Sequence, residues 1–304
     1  MNPSPRSCRY FLADVFTGQA FAGNPLAVFP EGDDLSDAQM QRIARELNLS
    51  EAAFVCAPRV ANGCRVRIFA PARELPFAGH PTIGTAHVLA HIGAFDFRDG
   101  DNHLEFLEGV GPVPIRVVMR DGRPAFCQFT AAVLPELGDS LSSEAYASIL
   151  GLLPEDVRDD RQGPDAVSCG VPFHMVPLTD HNRLGLVQLD MVSYNMWASR
   201  SWAASICVFA NDPQIPHRYH VRVFSPSFGF YEDPATGAAA AALAGYLARR
   251  EPQLDGSFQW EIWQGVAMGR PSQLYIEADK RDGRIEAIRV GGTAVVIGEG
   301  VLYL

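Results

Sequence analysis

Residues Phe77 to Gly84 read FAGHPTIG, and the rest of the chain is best read outward from them. Upstream lies the alternating run Val66-Arg67-Ile68-Phe69, then Ala70-Pro71; downstream, Thr85 to Ile92 is an apolar stretch of helical character. Strand, Gly/Pro-rich turn and helix in that order present backbone N–H groups, because the first amides of a helix have no partner within it. The arrangement recurs. Arg222-Val223-Phe224-Ser225-Pro226 leads to Glu232-Asp233-Pro234-Ala235-Thr236-Gly237 and an alanine-rich helix. Pro81 to Gly84 is three steps, as is Pro234 to Gly237, and 153 positions separate the two prolines in a chain of 304 residues. That spacing is the mark of a duplication.

Other landmarks repeat in the same order. Gly170-Val171-Pro172-Phe173 follows Gly23-Asn24-Pro25-Leu26, Glu261 to Gly265 echoes Glu105 to Gly109, and Asp282-Gly283 echoes the hairpin signal Asp121-Gly122. Two domains are expected, residues 1–130 and 131–304, with Ala131 to Leu141 as the crossover. The final strand, near Thr293 to Leu304, has no counterpart and is a candidate to complete the first domain's sheet. Within the first half, Ser36-Asp-Ala-Gln39 is a capping box opening a helix to Leu47, ended by Asn48. Leu49-Ser50-Glu51 then reads as a short connection. Arg9 to Val15, Leu26 to Phe29, Ala53 to Cys56, Leu104 to Leu107, Pro114 to Met119 and Ala125 to Phe129 read as strands, and Ser143 to Leu150, closed by Gly151, as a helix.

The totals set limits on partners. A formal charge of −10 argues against nucleic acid or an anionic membrane, both of which require basic surfaces. No run approaches the roughly 20 apolar residues of a membrane span, and residues 1 to 8 form a polar tail without the apolar segment of a secretory signal. The six cysteines, Cys8, Cys56, Cys64, Cys127, Cys169 and Cys207, are scattered without metal-ligand spacing, the pattern of reduced thiols in a cytoplasmic protein. Neither a dinucleotide-binding nor a P-loop fingerprint is present.

Chemistry concentrates at the two central motifs. Each helix start offers free N–H groups and the positive end of a helix dipole, and Gly84 and Gly237 lack a Cβ that would bar a close ligand. Two such starts facing each other across a pseudo-two-fold axis would hold a small carboxylate and stabilise enolate-like charge in the cleft between domains. A proton shift also needs groups that give and take protons, and the ionisable candidates are Glu51, His80, Glu232 and Asp233. Structural roles compete with this: Asp233-Pro234 fits a helix N-cap with proline at the first position, Glu232 fits an ion pair with arginine, and Glu51 alone fits an exposed loop. Arg45, Arg67, Arg73 and Arg222 are candidate contacts to an acid, or residues of surfaces and strand faces.

Taken together, FAGNPLAVF, ARELNLSEAAFV, FAGHPTIGTA and EDPATGAAA closely resemble the PhzF-like family of phenazine-biosynthesis isomerases, over nearly the whole chain. The resemblance implies an α+β protein of duplicated diaminopimelate epimerase-like fold: two pseudo-symmetric domains, each a barrel-like β-sheet around a central helix. It also implies a homodimer, a small carboxylate substrate, and no metal or organic cofactor. It maps the family's general acid/base onto Glu51, with His80 and Asp233 assisting, in a proton shift on a cyclohexadiene-type acid. A carboxyl raised in pKa by burial suits that double duty. Asn24, Gly79, Thr82, Gly84, Thr236, Gly237 and Ala238, in the same motifs, are the expected substrate-binding positions. Ala238 stands where related members often carry serine, so one hydroxyl is missing. Epimerases of the wider fold that use two cysteines need a thiol at each central motif, and neither motif has one. Two other readings stay open: a small-carboxylate binding protein without catalysis, and an epimerase or dehydratase using the same carboxylates.

Overall fold

The computed structural model describes residues 7–60 and 62–304, so most of the tail expected over residues 1 to 8 lies outside the described residues. The chain forms two units, Met1–Phe129 together with Gly291–Leu304, and Thr130–Val290. Among the described residues no helix is long and apolar enough to cross a membrane.

In the first unit β1 (Ser7–Val15) runs antiparallel to β2 (Asn24–Phe29), with Val15 opposite Asn24. Helix α1 (Asp37–Leu47) carries the capping box between Ser36 and Gln39, and Asn48 closes it in the left-handed region at φ 51°. Because Asn48 reverses the chain at once, β3 (Glu51–Val60) starts two residues before the expected strand. Glu51 is its first residue, beside Leu26 in parallel pairing with β2. β4 (Gly63–Phe69) continues antiparallel to β3 and takes the two-residue β5 (Glu74–Leu75) on part of its edge. Helix α2 (Gly79–His91) then crosses to β6 (Gly100–Glu108), parallel to β4, and the meander β7 (Gly111–Arg120) and β8 (Arg123–Thr130) follows. The C-terminal strand Ala294–Tyr303 pairs antiparallel with β1.

Helix α2 begins at Gly79, so Pro81 and Gly84, expected in a turn, are helical. Proline costs nothing in the first turn, where its missing N–H would have no acceptor. Every residue from Gly79 to Ala90 is buried, as a helix enclosed by its sheet requires. Gly84 is needed because a Cβ there would lie 2.4 Å from Leu26 Cδ2 and 2.7 Å from Val15 Cγ2. The close approach it permits is to β1 and β2, not to a ligand.

The second unit repeats the plan. β9 (Glu136–Gly138), within the stretch expected to be the crossover, pairs with β10 (Asp165–Ser168), and β10 with β11 (Pro172–Pro177). In this plan β9 holds the place that the C-terminal strand holds against β1, so that strand does have a counterpart. Helix α3 (Ser143–Leu150), capped by Ser142 and closed by Gly151 at φ 66°, lies between β9 and β10. Helix α4 (Met191–Trp197) leads to β12 (Ser205–Asn211), parallel to β11 with Ser205 beside Phe173. β13 (Arg218–Ser225), the short β14 (Phe230–Asp233), helix α5 (Gly237–Arg250), β15 (Gly256–Gln264), β16 (Ser272–Arg281) and β17 (Arg284–Gly292) complete it. β15 is parallel to β13, as β6 is to β4. Both hairpin signals hold: Asp121, Gly122, Asp282 and Gly283 all have positive φ.

The central repeat has a different register from the one the prolines suggest. Phe69 pairs with Glu74 and Ile68 with Leu75, while Phe224 pairs with Glu232 and Val223 with Asp233. Helices α2 and α5 start at Gly79 and Gly237, respectively. The matching segments are therefore ELPFAGH from Glu74 and EDPATGA from Glu232, which makes Pro76 the counterpart of Pro234 and Ala238 the counterpart of His80. Side chains agree, since Arg67 forks onto Glu74 and Arg222 onto Glu232. The shared Pro-x-x-Gly spacing is a coincidence of two prolines, one inside its helix and one before it.

Candidate active site

In the first unit the fold gathers three side chains from separate elements. Asn24 opens β2, Glu51 opens β3 alongside, and His80 is the second residue of α2; they are 0%, 6% and 3% exposed. His80 Nε2 lies 3.4 Å from Glu51 Oε2, and His80 Nδ1 lies 3.3 Å from Asn24 Nδ2. Ser50 Oγ donates to Asn24 Oδ1 at 3.5 Å, which turns the amide nitrogen toward the imidazole. Asn24 therefore donates to Nδ1, which places the ring's own proton on Nε2, the nitrogen nearer Glu51. Burial pulls His80 down to about 3, so the ring is neutral at pH 7.

Thr82 and Gly84 have other work in this unit. The Thr82 hydroxyl, fully buried, lies 2.9 Å from Ala78 O and 2.7 Å from Glu108 Oε1, and Gly84 is filled by β1 and β2. Gly79 is the first residue of α2. Three of the candidate arginines are committed too: Arg67 pairs with Glu74 and Asp37, Arg222 with Glu232, and Arg45 donates to Pro71 O.

In the second unit the N-cap of α5 is Thr236, and Asp233 ends β14, so Asp233 is not the helix cap and Pro234 is not its first residue. Asp233 is 4% exposed and its Oδ2 accepts from Thr236 Oγ1 at 2.5 Å. Gln264 fastens the turn. Its Oε1 accepts from Thr236 N at 3.1 Å, and its Nε2 donates to Asp233 O at 2.7 Å and Thr236 Oγ1 at 2.9 Å. Gly237 and Ala238 open α5, where the first amides have no partner inside the helix. Ala238 brings only a methyl group to the position that His80 occupies in the first unit.

Sequence reasoning overlooked Gln264, Ser50 and Glu108. Two of them were in view as repeat landmarks, Glu108-Gly109 and Gln264-Gly265. Nothing local marked the shared function, which is to tie the end of a strand to the start of the helix packed against it. The six cysteines are all free and buried, and burial raises the thiols of Cys127, Cys169 and Cys207, which suits packing rather than chemistry.

Comparison with known proteins bears on these geometries. The sequence model of the family described as phenazine biosynthesis-like protein matches residues 13–300. An uncharacterized isomerase of Mesorhizobium japonicum is 39% identical over 302 residues, covering 97% of this chain and 98% of that protein. Trans-2,3-dihydro-3-hydroxyanthranilate isomerase of Pseudomonas aeruginosa is 37% identical over 304 residues, covering 97% and 99%. Among solved structures, the phenazine biosynthesis protein of the PhzF family from Bacillus anthracis superposes with a TM-score of 0.87 at 25% identity, covering 98% of this chain and all of that one. The fold is the diaminopimelate epimerase-like one that the sequence resemblance implied.

Proposed function

The chain belongs to the phenazine biosynthesis-like family, and from that premise we propose that it is a cofactor-independent isomerase moving a proton within a small unsaturated carboxylic acid. The carrying observation is the Glu51–His80–Asn24 arrangement: a buried carboxyl group 3.4 Å from a neutral imidazole that Asn24 contacts from its other side. Glu51 takes a proton from one carbon of a conjugated acid and returns it to another. One C–H bond breaks, one forms, and the double bonds shift, so no atom is lost and no electron acceptor is required. In the second unit, Asp233, held by Thr236, is the buried ionisable group of the matching turn, and the amides opening α5 suit a carboxylate. The substrate class is that of trans-2,3-dihydro-3-hydroxyanthranilate, the compound in the name of the P. aeruginosa relative.

The test uses that compound in heavy water, following product by absorbance and deuterium incorporation by NMR. Wild-type protein is expected to place deuterium on a ring carbon of the product, while Glu51→Gln is expected to lose turnover and exchange with its thermal midpoint preserved. Turnover at the wild-type rate in the Glu51→Gln variant would refute the role of Glu51. Binding of the acid in calorimetry, without exchange or turnover in wild-type protein, would favour a binding protein instead.

A further inference from the structure

We infer that Glu108 is a positioning residue for His80, acting as an uncharged acid that locks the first turn of α2 through Thr82. Glu108 ends β6, is 6% exposed, and lies outside the proton path proposed above. Its Oε1 is 2.7 Å from Thr82 Oγ1, itself 2.9 Å from Ala78 O, and Thr82 is two residues after His80 in the same turn. A threonine hydroxyl has one proton. Were Glu108 ionised, Ala78 O and the carboxylate would compete for that proton. With the carboxyl protonated, Glu108 donates to Thr82, Thr82 donates to Ala78, and both close contacts are satisfied.

Two neighbouring contacts strengthen the clamp. Val110 N donates to Pro76 O at 3.1 Å, and Gly109 packs so tightly on Pro76 that a Cβ would lie 2.7 Å from Pro76 Cα. The second unit holds a control: Gln264 occupies the corresponding place, beside Gly265 packed on Pro234, and uses a neutral amide to hold Asp233 and Thr236. Both units tie a strand end to the turn bearing a site residue, and both do so with an uncharged group. Burial, which pushes the Glu108 carboxyl up to about 8, agrees with the neutral form.

The readout is the ring of His80, so the experiment needs no substrate and fails separately from the proposed reaction. Full-length protein labelled with 15N-histidine is compared at pH 7 with Glu108→Gln, Glu108→Leu and Thr82→Val by two-bond 1H–15N correlation, His80 being assigned by its loss in His80→Gln. Wild type and Glu108→Gln are expected to show one tautomer, with widely separated ring-nitrogen shifts. Glu108→Leu and Thr82→Val should collapse that separation as the ring is released. A wild-type pattern in the Leu and Val variants, even with a lowered melting point, would reduce Glu108 to a structural role and overturn the inference. A collapsed pattern in Glu108→Gln would also overturn it, and that variant stays decisive if the others do not fold.

Discussion

The two units share one plan, and their chemistry differs position by position. Where β3 begins with Glu51, β12 begins with Ser205, which is bonded to Ser225 at 2.9 Å. Where α2 carries His80, α5 carries Ala238, and where β14 ends in Asp233, β5 ends in Leu75. Glu108 answers to Gln264 and Gly84 to Ala242. A duplicated scaffold thus keeps its strand pairings, helix starts and arginine forks, while each copy holds a different part of the ionisable set. Duplication repeats the geometry; the side chains have diverged because a strand start or helix start tolerates many residue types.

That contrast can be broken experimentally, and the largest effect belongs to Glu51. Glu51→Gln is expected to lower kcat/KM by about a thousandfold, within the usual range for removing a general acid/base. Ser205→Gln, at the matching position, is expected to leave kcat/KM within a few-fold, measured with the same substrate. Next comes burial of charge. Ser205→Glu places a carboxylate in a pocket that offers Glu51's position but none of its partners, and should destabilise by about 3 kcal/mol in urea unfolding. A neutral outcome there would mean that the second unit is already built to hold an acid.

Packing at the matched helix positions comes third. Gly84→Ala forces a methyl group against Leu26 and Val15, at an expected cost of about 2 kcal/mol. At the corresponding place α5 already carries Ala242, fully buried. Chemical denaturation of the Gly84→Ala variant checks the difference, and an unchanged midpoint would show that β1 and β2 yield freely.

The smallest effect is a pH slope. Burial holds His80, His87 and His174 at about 3, 4 and 4, so all three are uncharged in the native protein near neutrality. Unfolded rings take up a proton below about 6.5, whereas the native rings do not until far lower pH. Their contribution is thus fully present above about pH 6.5 and is lost as pH falls toward 4, at about 1.4 kcal/mol per pH unit for each ring. Glu108 has the opposite sign. With a native value of about 8, its contribution is full below its ordinary value near 4.5 and is lost as pH rises through 8. Stability measured by urea titration from pH 4 to 9 should be highest near pH 7, with a shallower acid limb in His87→Gln and a flatter alkaline limb in Glu108→Gln.

Much of this was legible in the linear chain. The capping box at Ser36, the left-handed Asn48, the Asp-Gly hairpins and the closure of α3 by Gly151 all follow from backbone preferences of a few adjacent residues, and local rules read such features well. Pairing partners are another matter. That Pro76, not Pro81, answers to Pro234 depends on which residues of β5 and β14 lie opposite β4 and β13, a register no local spacing expresses.

Sequence alone thus determined the duplication, the family and several helix ends and hairpins, because each rests on short stretches whose residue types carry the information. Only the tertiary structure decided that Glu51 starts a buried strand, that Gly84 makes room for Leu26 rather than a ligand, and that Gln264 and Glu108 brace the two helix starts. The physical reason is distance along the chain. Asn24 and His80 are 56 residues apart, Thr82 and Glu108 are 26 apart, and contacts of that kind exist only once the sheet has brought its strands together.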